Sequence, residues 1–235
     1  ARNIVFGKII NSRTVLQRAL RDHGGRDSDS DLARAATMLS RIAESVDGAS
    51  LDETRGREGE AANCYFSVFN HLITVENPAF RFRTRSRRPP LDPVNALLSF
   101  VYTLLAHDVA SALEGVGLDP AVGFLHRDRP GRPGLALDLM EEFRPCIADR
   151  LVLSLINRQQ VHANGFTVTE SGGVFMDDTT RKEVLVAYQK RKREEIMHPF
   201  INEKVSVGLL PHVQALLLAR HLRGDLDGYP PFLWK

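Results

Sequence analysis

The chain has 235 residues, 43% apolar and 26% charged, with 31 Lys and Arg against 29 Asp and Glu for a net charge of +2. That length suits one globular domain with a sizeable core, and a near-neutral balance excludes neither a nucleic-acid partner nor an ordinary enzyme, because clustering of charge matters more than its sum. Two cysteines, Cys64 and Cys146, stand far apart without a CxxC or a neighbouring His, so neither a disulfide scaffold nor a zinc module is supported and a reducing cytoplasm is the expected compartment. The longest charge-free apolar stretch, 93–106, has 14 residues, short of the roughly 20 that span a bilayer, and predicts no membrane segment.

Apolar residues recur every three or four positions through most of the chain, which predicts a mainly α protein. The opening residues ARNIVFGKIINSR lack an initiator Met and the pattern of a signal peptide, and read as a chain entered mid-protein. A short helix is predicted over 12–21, then a polar loop at 24–30 and a helix over 31–46 stopped by Gly48. A third helix, 52–73, is followed by the basic connection RFRTRSRRPP. Asp92 as N-cap, Pro93 at the first helical position and Gly115 at the end delimit the central apolar helix. One helix over 135–157 comes next, then FTVTESGGVFM, whose alternation around Gly172 and Gly173 predicts one small β-hairpin and no other β structure. Helices over 179–197 and 206–223 complete the series, and the aromatic tail 226–235 reads as a docking segment in preference to a packed terminus.

Three features carry chemistry. In RGREGEAANCYFSVFNHL, Glu58 shares a helical stripe with Ala61, Ala62, Tyr65 and Phe69, whereas Glu60 aligns with Cys64, Ser67 and His71. An acid on an apolar stripe must neutralise, pair with a cation or ligate a metal, so Glu58 is either a salt-bridge partner or a site residue. In GFLHRDRPGRPGLALDLMEEFRP, Asp138, Glu141 and Glu142 crowd adjacent helical turns, which calls for a cation among them. His126 lies twelve residues before Asp138, a distance a loop can close; two carboxylates and an imidazole suit Mg2+ or Mn2+ better than tetrahedral zinc. The third feature is basic density: Arg81, Arg83, Arg85, Arg87 and Arg88 without an acid between them, and Arg127, Arg129 and Arg132 beyond His126. Arginines beside a metal site would hold a phosphate backbone. A further basic run lies between Arg181 and Arg193, diluted by acids, and His198, His212 and His221 have no ligand spacing.

Along its whole length the chain resembles the Cas1 family of CRISPR-associated endonucleases and integrases, in particular the type I-C kind. The resemblance rests on ARNIVFGKIINSR, RGREGEAANCYFSVFNHLI, DPVNALLSFVYTLL, GLDPAVGFLHRDRPGRPGLALDLMEEFRP, DRLVLSLIN and PHVQALLLARHLRGDLDGYPPFLWK. It implies a helical catalytic C-terminal domain, with the family's N-terminal β-rich dimerisation domain absent from this chain. It further implies Glu58, His126 and Glu141 as catalytic metal ligands, with Asp138 supporting them. The implied activity is metal-dependent cleavage of DNA and insertion of captured spacers into the CRISPR array by transesterification. Implied partners are double-stranded DNA (prespacer and repeat), Cas2, a second copy in a homodimer and, in type I-C-like systems, Cas4. One departure is Phe100-Val101-Tyr102 where many relatives carry Tyr-Gly-Tyr, leaving Tyr102 as the shared aromatic. The rival reading is a DNA-binding or assembly module without a working metal site, which manganese binding would separate from the first.

Overall fold

The computed structural model describes residues 1–25, 28–127 and 129–234. Helix α1 (Arg2–His23) and α2 (Asp29–Glu44) form an antiparallel hairpin that buries Ile4, Ile9 and Leu16 against Leu32, Leu39 and Ile42. α1 is a full ten residues longer at its start than expected. Ile4, Lys8, Ser12 and Leu16 follow at helical spacing and share the buried face, which carries the helix back past residue 12.

α3 (Leu51–Ser67) starts from a reciprocal cap: Ser50 Oγ accepts from the Glu53 amide at 3.3 Å, and the Ser50 amide donates to Glu53 Oε2 at 2.7 Å. It ends before residue 73, passing into a 3-10 turn at Phe69–Leu72. α4 (Pro93–Gly115) opens with Asp92 Oδ1 accepting from the Asn95 amide at 2.7 Å. With 23 residues and a mean hydropathy of 1.5 over its most apolar window, α4 is long and apolar enough to cross a membrane by length and composition, unlike the 14-residue segment counted before His107. Here it is the core helix. Val94, Leu97, Leu98, Val101, Leu105, Val109 and Leu113 are all buried, each worth about 1.5–3 kcal/mol against exposure, and Asp108 pairs with Lys192 at 2.8 Å.

The expected helix 135–157 is broken. α5 (Gly134–Met140) ends just before Glu141, a π-helical turn covers Arg144–Asp149, and α6 (Arg150–Asn157) resumes the α form. Pro145 supplies the reason: it has no N–H for the Glu141 carbonyl four residues back, and its ring crowds that carbonyl.

The hairpin of β1 (Phe166–Val168) and β2 (Val174–Met176) lies where it was expected, with Phe166 opposite Met176. A second hairpin corrects the expectation of one. α7 (Asp178–Lys192) stops five residues short of 197, and β3 (Glu195–Met197) pairs antiparallel with β4 (Lys204–Ser206), Ile196 facing Val205. Pro199 disfavours helix at His198 and turns the chain back, a signal masked by the helical spacing before it. A 3-10 turn at Val207–Leu209 leads into α8 (Leu210–Leu222), which packs on α4. The tail is a packed terminus, contrary to expectation: Tyr229 and Phe232 are buried, and the Phe232 ring lies 5.7 Å from that of Phe143. Leu226, Leu233 and Trp234 are half-buried beside them.

Candidate metal centre

Asp138, on the last turn of α5 and fully buried, organises the loop before it. Oδ2 accepts from the amides of Phe124 at 2.7 Å and Leu125 at 2.9 Å; Oδ1 accepts from the His126 amide at 2.9 Å and lies 2.6 Å from His126 Nδ1. A carboxylate on Nδ1 fixes the ring and its tautomer and leaves the Nε2 lone pair outward. Nε2 faces Glu141, 3.9 Å from Oε1. The loop reaches Asp138 because Gly123 and Gly134 meet back to back: a Cβ on Gly123 would lie 2.7 Å from the Gly134 carbonyl carbon and 3.0 Å from Asp138 Oδ2.

Glu141 is 1% exposed and held by two cations. Arg144 Nη1 is 3.1 Å from Oε1, and Lys8 Nζ is 2.7 Å from Oε2. Burial pushes the Glu141 carboxyl up, but Arg144 and Lys8 outweigh it and hold the group at about 2. The same Lys8 ammonium contacts Glu58 Oε1, which descends from α3. Glu60 points elsewhere and pairs with Arg57 at 3.1 Å. Glu58 and Glu141, from two separate segments, thus meet at one ammonium, and His126 from a third lies within 3.9 Å of Glu141. Among the described residues no three His, Cys, Asp or Glu side chains stand in an arrangement that could hold a metal ion as they are placed here. In donor type the set suits a hard divalent ion: two carboxylates that already grip a cation, and an imidazole whose second nitrogen faces one of them.

Glu142 takes no part in this cluster. It points into the protein, where Oε2 accepts from Gln214 Nε2 and from the Phe232 amide, each at 2.9 Å, and burial pushes its carboxyl up to about 8. The three acids of DLMEE thus face three directions. His198 bonds to Gln214 at 3.1 Å and is a core residue.

Beside the centre runs a groove of about 1060 Å³ lined by Arg85, Arg87, Arg88, Arg129, Arg132 and Arg144 together with Tyr102. Arg87, Arg88 and Arg129 are exposed and Arg132 is half-buried. Arg85 is committed inward, donating to Asn95 Oδ1 at 2.7 Å and Ser99 Oγ at 3.2 Å. Arg81, Arg83 and Arg127 are exposed but do not line the groove. Under the groove, Tyr102 donates to Asp149 Oδ1 at 2.5 Å, and its ring centroid lies 5.3 Å from the Arg85 guanidinium and 4.9 Å from that of Arg144. Burial pushes the Asp149 carboxyl up to about 6.

Sequence reasoning missed Lys8, Arg144 and Asp149. A signal existed for the first two, since crowded acids demanded a cation. Lys8 sat upstream of the expected helix start, and Arg144 was lost among many arginines. Asp149, inside an expected continuous helix, gave none.

Residues 1–190 match the family model described as CRISPR associated protein Cas1. The chain is 60% identical over 236 residues to "CRISPR-associated endonuclease Cas1 1" of Chlorobaculum tepidum, spanning all of this chain and 69% of that protein. It is 48% identical to "CRISPR-associated endonuclease Cas1" of Leptospira interrogans, spanning 92% of that protein. Among solved structures, a CAS1 protein from Thermotoga maritima superposes with a TM-score of 0.75 at 30% identity, over 95% of this chain and 66% of that one. A casposase bound to integration product gives 0.78 at 23% identity over 100% of this chain and 63% of that one, a likeness of fold.

Proposed function

Because the chain belongs to the Cas1 family, we propose that it is the catalytic domain of a divalent-metal-dependent DNA endonuclease and integrase that inserts captured DNA into a CRISPR array. The observation that carries the proposal is the convergence of Glu58, His126 and Glu141 beside an arginine-lined groove. Glu58, His126 Nε2 and Glu141 would hold Mg2+ or Mn2+, with Asp138 positioning the imidazole. When bound, the ion polarises a phosphodiester and stabilises charge on the attacking and leaving oxygens. Arg144, which borders both Glu141 and the groove, places a guanidinium where a phosphate approaching Glu141 carries its negative charge. Arg87, Arg88, Arg129 and Arg132 grip the backbone and leave sequence unread; Arg85 shapes the groove wall through Asn95 and Ser99. Attack by a DNA 3′-hydroxyl gives joining, and attack by water gives cleavage, with no covalent protein intermediate.

The partners in this reading are prespacer and repeat DNA, Cas2 and a second copy of the chain. Cas4 is supported by a 42% identical relative from Rhodospirillum rubrum described as a "CRISPR-associated exonuclease Cas4/endonuclease Cas1 fusion". Dimerisation through the family's β-rich N-terminal domain and the type I-C subtype both rest on the motif resemblance. A half-site integration assay tests the proposal: labelled DNA with free 3′-hydroxyls, a repeat-bearing target, manganese and Cas2. Joined product lost in Glu58→Ala and Glu141→Ala is expected; joining that survives both substitutions would move the chemistry elsewhere.

A further inference from the structure

We infer that Lys8 is the resident counter-ion of the centre: its ammonium bridges Glu58 and Glu141 while the site is free of metal, and a divalent ion binds by displacing it. The inference rests on the metal-site reading above and adds a competitor to it.

Lys8 is only 8% exposed, although a lysine ordinarily keeps its ammonium in water. Its stem lies on the buried face of α1 between Ile4 and Ser12, so the helix delivers the ammonium to a fixed place. There it contacts Glu58 Oε1 and lies 2.7 Å from Glu141 Oε2, which are oxygens from two different segments. No metal could take both oxygens with the ammonium between them, since ligand oxygens sit about 2.0–2.1 Å from Mg2+ and would leave no room for a nitrogen at hydrogen-bond distance. The ammonium and the ion are therefore alternatives.

The exchange has two consequences. Before metal arrives, Lys8 keeps the two acids from repelling each other, so the ligands are already gathered. When metal binds, the ammonium's charge-assisted contacts are lost, and the affinity measured is weaker than the bare ligand set would give. Arg144 does not bridge the two acids as Lys8 does: it pairs with Glu141 on the Oε1 side and interacts with Glu58 only through space.

Lys8→Met keeps the aliphatic stem and removes the charge. Calorimetric titration of the full chain with MnCl2 alone, without DNA, should show binding tightened by about tenfold to a hundredfold, the range for one charge-assisted hydrogen bond. The rise in melting temperature at saturating manganese should be larger for the variant than for the parent. Lys8→Arg, which keeps the positive charge, should stay close to the parent. Lys8→Met that binds manganese no more tightly than a metal-binding parent overturns the inference and leaves the metal site standing. A parent chain that binds no manganese at all removes the metal-site reading with it. If Lys8→Met folds only with manganese present, the metal is replacing the ammonium and the inference is supported. Failure to fold even at saturating manganese, in both Lys8→Met and Lys8→Gln, makes Lys8 a structural residue and overturns it.

Discussion

The buried pair of Asp149 and Tyr102 makes a quantitative prediction about pH. Asp149 has two arginines nearby, Arg85 and Arg144, and accepts a hydrogen bond from the Tyr102 hydroxyl, all of which favour its carboxylate. Burial disfavours it more strongly, and the balance raises the group from 3.8 to about 6. An acid whose pKa is higher folded than unfolded makes its full contribution to stability below the unfolded value and loses it as pH rises through the folded value. The window runs from pH 3.8 to about 6, and the whole loss is about 3 kcal/mol at 1.36 kcal/mol per pH unit. About 2 kcal/mol of it falls between pH 4.5 and pH 7.

Asp149→Asn cannot ionise and keeps an oxygen for the Tyr102 hydroxyl. Urea unfolding of both proteins at the two pH values, followed by circular dichroism, cancels the carboxylates they share. The variant should gain about 2 kcal/mol on the parent as pH rises from 4.5 to 7. Parallel curves would refute the reasoning. A variant that loses ground as pH rises would show that Arg85 and Arg144 dominate, and that Asp149 is a satisfied ion-pair partner.

Two further predictions concern the loop and the groove. Gly123→Ala drives a methyl into the Gly134 backbone at 2.7 Å and against Asp138 Oδ2 at 3.0 Å, so it should cost about 1–3 kcal/mol of stability and weaken manganese binding by displacing His126; unchanged values in both denaturation and calorimetry would refute the packing argument. In DNA-binding titrations against salt, Arg129→Ala and Arg132→Ala should each lower the slope by about one unit, whereas Arg81→Ala and Arg83→Ala, which lie off the groove, should leave it unchanged; equal effects of the two pairs would break the link between groove and DNA.

What could be read from the sequence, and what could not, follows from how local each determinant is. The start of α4 was legible because Asp92 and Pro93 act within one turn, and the first hairpin because alternation and a Gly-Gly pair lie within eleven residues. The separation of Glu58 from Glu60 was legible because a helical face is fixed by spacing alone, and the structure sends the first inward to Lys8 and the second to Arg57. Crowded acids announced a cation, yet spacing could not say which, because Lys8 is more than 130 residues from Glu141 in the chain. The break after Met140 turns on Pro145, which was visible in the sequence. Which partners the two acids find, Lys8 and Arg144 for Glu141 and the core for Glu142, depends on where α1 and the tail pack. The tail was misread for the same reason: aromatic residues look alike whether they seek a partner or a core, and only the fold supplied the pocket beside Phe143 that Phe232 fills.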